Sequence, residues 1–298
     1  MSQLKAWFDT EAYQKPSDKK TYDVLRMLPF VFLHLGCLGV IWVGVSRFAL
    51  LLALLLYVLR MFAITGFYHR YFSHKAFKTN RFWQGFFAVI AASSCQRGPL
   101  WWASHHRYHH RHADKALDFH SPVQHGFLKS HMGWFFAPNA FKTDLTLVRD
   151  LAVYPELRWL NRFDTVVPII MGIGLYVLGR YLQYKHPHWG TSGLQCLVWG
   201  GFISTVVLFH ATCSINSLAH TFGSRTFQTN DNSRNHFLLA IITMGEGWHN
   251  NHHHQPGSVK QGFRWWQIDL TYYLLWLLAC VGMIHSLRGV RVHEHGEA

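Results

Sequence analysis

The residues with the clearest chemistry are histidines in three short clusters, each at the polar end of an apolar stretch. They are His69 and His74 in HRYFSH, His106, His109 and His110 in HRYHH, and His249, His252 and His253 in HNNHH. Neutral imidazole binds iron, zinc, copper and nickel alike, so the ligand type is defined while the metal is not. Together the clusters predict one metal centre at a membrane surface.

The spacing within a cluster predicts ligands for two metals. Residues three and four apart share one face of a helix, so His106 can share a site with His109 or with His110. Those two neighbours diverge by about 100° around the helix axis. The cluster at 249–253 repeats this arrangement. One helix can therefore offer ligands to two metals side by side.

Other polar residues crowd the same regions, and spacing alone leaves their roles open. The further histidines are His105, His112, His120, His125, His131 and His254. Asp114, Asp118 and Glu246 are close in sequence, but none occupies a ligand position within a cluster. The pattern differs from that of soluble di-iron bundles, which use Glu and Glu-x-x-His ligands.

The elements that position these histidines are predicted to be membrane helices. The chain has 298 residues, of which 50% are hydrophobic and only 14% charged, which excludes an ordinary soluble domain. Four stretches, 29–45, 46–66, 166–182 and 194–215, approach the roughly 20 residues needed to cross a bilayer. We expect one domain over 1–298, an all-α integral membrane protein with four transmembrane helices and a cytoplasmic helical cap that carries the histidines.

The distribution of basic residues predicts the orientation of these helices. Of the 28 Lys and Arg residues, 24 fall on one side of the four predicted crossings, together with all three clusters. Basic loops face the cytoplasm, so both termini and the metal centre are expected there. The apolar stretch 268–284 is predicted to be an interfacial or bundle-packed helix, and the stretch 82–92 to lie in the membrane interface. Arg60 and Arg180, near the ends of crossings, can snorkel to headgroups or pair with a buried group, and snorkelling is the expectation.

The five cysteines indicate neither a disulfide framework nor a thiolate metal site. They are Cys37, Cys95, Cys196, Cys213 and Cys280, scattered without a CxxC pair. We expect small buried apolar residues at these positions.

The boxes HRYFSH, HHRYHHRHAD with the following DFHSP and SHMGW, and GEGWHNNHH resemble those of integral-membrane fatty acyl desaturases of the stearoyl-CoA (delta-9) type. The resemblance covers about Tyr22 to Leu287 and extends to NSLAH. It implies a di-iron cofactor and the corresponding fold. The metal ligands that it implies are His69, His74, His106, His109, His110, His220, His249, His252 and His253, with Asn216 acting through water.

The resemblance also implies a bent tunnel for the acyl chain. Its side chains align with Gln96, Trp102 and Thr212 here. Each has a purely structural alternative: loop surface for Gln96, an interfacial belt for Trp102, and capping of its own helix for Thr212.

Two residues are predicted to set the length of the tunnel. Met61 lies eight residues before His69, about 12 Å back along a helix at ~1.5 Å per residue, and Tyr57 lies one turn further. The family often has a small residue where Met61 falls. We therefore expect a preference for 16-carbon over 18-carbon acyl chains, although Met61 can instead simply pack the bundle.

The implied reaction is an O2-dependent conversion of a saturated acyl chain, carried on coenzyme A or a lipid, to a cis-monounsaturated one. Two electrons must come from a separate donor of ferredoxin, rubredoxin or cytochrome b5 type, because the sequence has no GxGxxG, CxxCH or HPGG segment. The net charge of +13 favours an acidic carrier, anionic headgroups or coenzyme A phosphates. We expect no nucleic-acid partner, and the short N-terminal segment favours a bacterial inner membrane over the endoplasmic reticulum.

Two other functions are compatible with these residues. A histidine-box hydroxylase or alkane monooxygenase has a similar site, but its product keeps an oxygen atom. A membrane metal carrier or sensor would need polar ligands within the crossings. There the sequence offers only His34 and His210, with apolar neighbours. GEGWHNNHH and NSLAH favour the desaturase.

Overall fold

The described chain, residues 8–12 and 24–290 of a computed structural model, consists of helices joined by short turns. The longer helices are α1 (Val24–Cys37), α2 (Arg47–Ser73), α3 (Arg81–Ala92), α4 (Pro99–His112), α5 (Pro155–Arg162), α6 (Val166–Lys185), α7 (Gly193–Ser217), α8 (Phe237–Ile242), α9 (His249–His254) and α10 (Leu270–Cys280). Short helical turns lie at Thr10–Ala12, Val40–Val43, Pro122–His125, Lys129–Gly133, Trp134–Phe136, Pro138–Phe141, Leu145–Val148, Arg149–Ala152 and Pro187–Trp189. Strands β1 (Lys78–Thr79) and β2 (Ile284–His285) pair antiparallel.

Three of the helices, α2, α6 and α7, are long and apolar enough to cross a membrane. Each runs past its predicted end, and α2 extends to Ser73, so that it carries His69 on its last turns. The remaining predicted crossing, 29–45, forms a shorter apolar helix over Met27–Val43. Gly44, at φ +62°, reverses the chain after it. The Ser46 side chain then accepts a hydrogen bond from the Ala49 amide and begins α2.

The prediction that Arg60 snorkels to the membrane surface is wrong. Its side chain is 1% exposed. It donates to the hydroxyls of Thr205, at 2.6 Å, and Ser204, at 2.7 Å, and to the Gly200 carbonyl at 3.3 Å. Gly200 lies in the wide π turns Leu197–Ile203 of α7, where carbonyl groups are available to such a donor. Arg180, by contrast, is exposed.

The core packs α2 against α3 and α4. Phe67 of α2 stacks on Phe87 of α3 at a centroid distance of 3.9 Å. The opposite face of α3 is exposed and apolar at Phe82, Phe86 and Val89.

Helix α10 has one buried face and one exposed face, although its residues are mostly apolar throughout. Thr271 and Leu275 are buried, while Tyr273, Trp276 and Leu277 are exposed. At eleven residues, α10 is much shorter than the roughly 20 residues that a crossing needs. All five cysteines are free; Cys196 and Cys213 are buried, Cys37 and Cys95 are half-buried, and Cys280 is exposed.

Candidate metal centre

Five histidines converge from α2, α4, α9 and the residue that follows α2. One ring nitrogen from each lies within 4.8 Å of those of the others, in a cluster formed by His69, His74, His106, His110 and His252. The Nε2 atoms face one another at 3.1 Å (His69 to His252), 2.7 Å (His74 to His106), 3.0 Å (His106 to His110) and 2.9 Å (His110 to His252). We call this set cluster 1.

The local backbone at the end of α2 brings the first two ligands together. From Ala63 to Ser73 the helix has wide π turns, and the amide of His74 donates to the His69 carbonyl, five residues back, at 3.2 Å. The two rings therefore meet edge to face at a centroid distance of 4.8 Å.

A second set of four histidines, which we call cluster 2, lies beside the first. Its members are His109, His220, His249 and His253, again with ligand atoms within 4.8 Å of one another. The Nε2 atoms of His220 and His249 are 3.0 Å apart. The structure places the neighbours His109 and His110 in different clusters, as the helix geometry predicts.

Four carboxylates support the clusters from outside by accepting from the Nδ1 of a histidine. The pairs are His69 with Glu246 (2.5 Å), His109 with Asp118 (3.0 Å), His220 with Asp114 (2.9 Å) and His253 with Asp231 (2.7 Å). A proton fixed on Nδ1 leaves the Nε2 lone pair directed into the cluster. Sequence reasoning missed Asp231, which lies in a polar loop with no motif of its own.

Burial favours the neutral form of six of these histidine rings. Together with neighbouring histidines, it holds the pKa of His74, His106, His110, His249 and His252 well below the usual range. For His253, burial lowers the pKa to about 4 although Asp231 opposes the shift.

The carboxylates behave in the opposite sense. Burial opposes ionisation of Asp114, but the hydrogen bond from His220 holds its pKa at about 2. The His253 ring is therefore neutral and the Asp114 carboxylate is ionised, and these are the protonation states that a metal site needs.

The residues fit a pair of transition metal ions. Two nitrogens bonded to one metal at about 2.1 Å and at right angles lie about 3 Å apart, which matches the Nε2 separations in cluster 1. In cluster 2, the buried Nε2 of His253 has no hydrogen-bond partner within the described chain. The donors are all imidazole nitrogens, which suit iron among other metals.

An apolar cavity ends at both clusters. It is lined by Met61, Ile64, Thr65, His69, Trp102, His106, His109, Thr212, Ile215, Asn216, Thr243, Glu246 and His249. Of the predicted tunnel residues, Met61, Trp102 and Thr212 line it directly. Asn216, the predicted ligand through water, lines the same cavity as His109 and His249 of cluster 2.

The predicted tunnel residue Gln96 joins two of the lining residues. It donates to the Thr212 hydroxyl at 3.0 Å and accepts from the Trp102 indole at 3.4 Å. It is buried and is not loop surface. Thr212 also donates to the Leu208 carbonyl of its own helix, so its structural alternative holds at the same time. Tyr57 lies outside the lining and donates to the Ile242 carbonyl.

The other histidines that spacing left open have different partners. The contacts are His105 with Trp101, His112 with Tyr108, His125 with the Asp118 carbonyl, His254 with Phe227, and His120 with His109. His120 forms a third potential site with His109 and Asp118.

His34 and His210, the two histidines within the apolar stretches, are not isolated. Their Nε2 atoms are 2.9 Å apart, and His210 also reaches His131 at 3.0 Å. The sequence does not indicate this series of three hydrogen-bonded histidines, because they come from three separate elements and His34 and His210 have apolar sequence neighbours.

Comparison with known proteins agrees with this geometry. The family model described as fatty acid desaturase matches residues 46–279. Delta-9 acyl-lipid desaturase 1 of Arabidopsis thaliana is 36% identical over 90% of this chain and 84% of its own length. The sn-1 stearoyl-lipid 9-desaturase of Anabaena variabilis is 33% identical, over 91% and 96% respectively. The acyl-CoA 5-desaturase AL21 of Anemone leveillei is 35% identical, over 89% and 79%.

These matches confirm the resemblance seen in the histidine boxes. The coverage extends over the helices that carry both clusters and the cavity. The chain belongs to the fatty acid desaturase family and is an oxidoreductase that introduces double bonds into acyl chains.

Proposed function

We propose that this desaturase introduces a cis double bond at the delta-9 position of a saturated acyl chain, at two iron ions held by clusters 1 and 2. The observation that carries the proposal is the apolar cavity ending at both clusters. Two of the relatives are named for delta-9 chemistry, which supports the position of the bond. The acyl carrier, coenzyme A or a glycerolipid, differs among the relatives.

Cluster 1 would hold one iron through His69, His74, His106, His110 and His252. Cluster 2 would hold the other through His109, His220, His249 and His253, with Asn216 acting through water. When bound, the iron pair supplies the activation of O2 that removal of hydrogen from an unactivated methylene requires. The protein keeps the site buried, which favours neutral imidazole at six of the ligands, and the four carboxylates fix the orientation of four rings.

The cavity selects which carbons react. Met61, Ile64 and Ile215 offer apolar contacts to the chain. The hydrogen-bonded set of Gln96, Trp102 and Thr212 would hold a bend in the chain close to the clusters. Met61 would shorten the far end and favour a 16-carbon chain.

The overall reaction balances as one acyl chain, one O2, two electrons and two protons giving the cis-alkene and two waters. The electrons would come from a separate one-electron carrier of ferredoxin, rubredoxin or cytochrome b5 type. The excess of basic residues would attract an acidic carrier.

In the membrane, Met27–Val43 would complete a fourth crossing beside α2, α6 and α7. The clusters and both chain termini would face the cytoplasm, with α3 and α10 in the interface. The termini lie outside the described residues. A bacterial inner membrane is the proposed location.

The test is expression in a desaturase-deficient host with a compatible electron donor, followed by mass spectrometry that locates double bonds. His109→Ala removes one ligand of cluster 2. His188→Ala is the matched control, since His188 is exposed between α6 and α7. We expect a new delta-9 double bond with the unmodified chain and with the control, and its loss in His109→Ala.

Two outcomes would contradict the proposal. Hydroxylated lipid would indicate the monooxygenase chemistry instead. An unchanged lipid profile from folded, iron-loaded protein would exclude the delta-9 reaction on the lipids of that host.

A further inference from the structure

The wall of the cavity is thin where α2 approaches α8. Met61 of α2 and Thr243, which directly follows α8, both line the cavity and are both 1% exposed. The residues that adjoin them, one helical turn or one position away, are less buried: Tyr57 is half-buried and Ile242 is exposed. Tyr57 is one turn before Met61, and Ile242 immediately precedes Thr243.

The outer faces at this seam are apolar and exposed. On α2 they include Val58 and Leu59. On α8 the exposed residues are Phe237, Leu238, Ile241 and Ile242. Because α2 is long and apolar enough to cross a membrane, we take its exposed apolar face here to lie against hydrocarbon. A single layer of side chains therefore separates the cavity from lipid.

One hydrogen bond closes the seam. The Tyr57 hydroxyl donates to the Ile242 carbonyl at 2.7 Å. Helix α8 packs against α7, and this bond links it to α2. A single exposed hydrogen bond is a small barrier to opening.

We propose that the seam between Tyr57 and Ile242 is a lateral portal, through which an acyl chain still esterified to a membrane glycerolipid enters the cavity from the bilayer. The inference rests on the proposed function and specifies its substrate class. A glycerolipid has a headgroup and a second chain that cannot be threaded lengthwise through an enclosed cavity. A side opening along α2 lets the methyl end of one chain move in sideways towards Met61, while the headgroup and the second chain stay in the bilayer. An acyl-coenzyme A, with one chain, needs no such opening.

Portal opening can be measured without iron or turnover. Met61→Cys places a thiol inside the cavity, and the rate at which a membrane-soluble maleimide labels it in lipid nanodiscs reports opening. Mass spectrometry locates the label among the native cysteines. Adding Tyr57→Phe removes only the hydroxyl that donates to the Ile242 carbonyl. Tyr71→Phe is the matched control, because Tyr71 is on the same helix and its hydroxyl bonds Gln84, away from the seam.

We expect Tyr57→Phe to accelerate labelling of the new cysteine about fivefold, the effect of losing one ordinary hydrogen bond. Tyr71→Phe should leave the rate unchanged. Equal rates in all three proteins, or equal acceleration by both Phe substitutions, would overturn the portal.

A reversible lock then tests the substrate class. Tyr57→Cys with Ile242→Cys is cross-linked by a reducible bis-methanethiosulfonate in nanodiscs of 1-palmitoyl-2-oleoyl-phosphatidylglycerol. We expect desaturation of the sn-1 palmitoyl chain to fall at least about tenfold and to return on reduction. Conversion of added palmitoyl-coenzyme A should persist in the locked protein.

The outcomes separate the two hypotheses. Undiminished desaturation of the lipid in the locked protein overturns the portal. Loss of both conversions also overturns it, since the cross-link then disturbs the site rather than the entry. If the unlocked protein makes no double bond from either substrate, the proposed function fails, while the labelling result still stands.

Discussion

Asp231→Asn isolates the contribution of an outer carboxylate to the metal centre. Asp231 Oδ2 accepts from His253 Nδ1 at 2.7 Å. Its Oδ1 accepts from the Thr229 hydroxyl and the Ser233 amide, both at 2.9 Å. Asparagine has the same shape, and its one oxygen satisfies the two loop donors. The NH2 group is then left facing the Nδ1 of His253.

Two donors cannot share a hydrogen bond, so the imidazole must respond. Either the proton moves from Nδ1 to Nε2, or the ring of His253 turns away. Both remove a lone pair from cluster 2. Loss of such an outer partner lowers metal affinity 10- to 100-fold, or about 1.4 to 2.7 kcal/mol. We expect the loss of metal affinity in the Asp231→Asn protein to be near 100-fold. The substitution removes the negative charge, and the new amide also opposes the tautomer that the metal site requires.

The assay is iron content against free iron concentration, with thermal unfolding measured in parallel to confirm folding. Asp144→Asn is the control, since Asp144 is exposed and accepts from the amide and the hydroxyl of Thr146 in its own turn. Desaturation at limiting iron should fall with iron content in Asp231→Asn. An unchanged iron affinity in Asp231→Asn, or an equal loss in Asp144→Asn, would refute the reasoning.

Three further substitutions probe the cavity and its supports. Met61→Ala should shift products from 16-carbon towards 18-carbon chains when both acyl chains are supplied; an unchanged ratio of product lengths would contradict the assigned role. Arg60→Met should lower the thermal unfolding midpoint, because buried acceptors around Ser204 lose their donor at about 1–3 kcal/mol each; an unchanged midpoint would show that they find other partners. Asn161→Ala should cost about 1 kcal/mol in urea unfolding, since the Asn161 side chain caps α4 from another helix by accepting from the Trp101 amide at 2.7 Å; no change would mean that water replaces the cap.

The sequence predicts the histidine clusters well, because their information is local. His106, His109 and His110 are fixed relative to one another by helix geometry alone. The pairing of His69 with His74 is less accessible. It depends on π turns, which follow from packing and have no clear sequence signal.

Contacts between distant segments were the least predictable. Asp231 reaches His253 from 22 positions earlier in the chain. Arg60 is buried because α7 presents Ser204 and Thr205 to it, 144 and 145 positions away. The sequence around Arg60, a basic residue near the end of an apolar stretch, does not indicate such partners. The expectation that Arg60 snorkels was therefore wrong.

The segment after α8 decides which side of the seam can move. Met244, at φ +56°, and Gly245, at φ +127°, turn the chain sharply towards Glu246, which accepts from His69. A Cβ on Gly245 would meet Asp269.

The same segment is tied down at both ends. The Met244 carbonyl accepts from the Thr271 amide at 2.8 Å, and the His236 amide, just before α8, donates to the Gly247 carbonyl at 2.8 Å. Moving α8 would therefore displace Glu246 and with it His69. Rotation of the Tyr57 side chain on α2 breaks only one hydrogen bond and leaves the ligands in place. The portal should therefore open on the α2 side, so that substrate can enter without disturbing the metal centre.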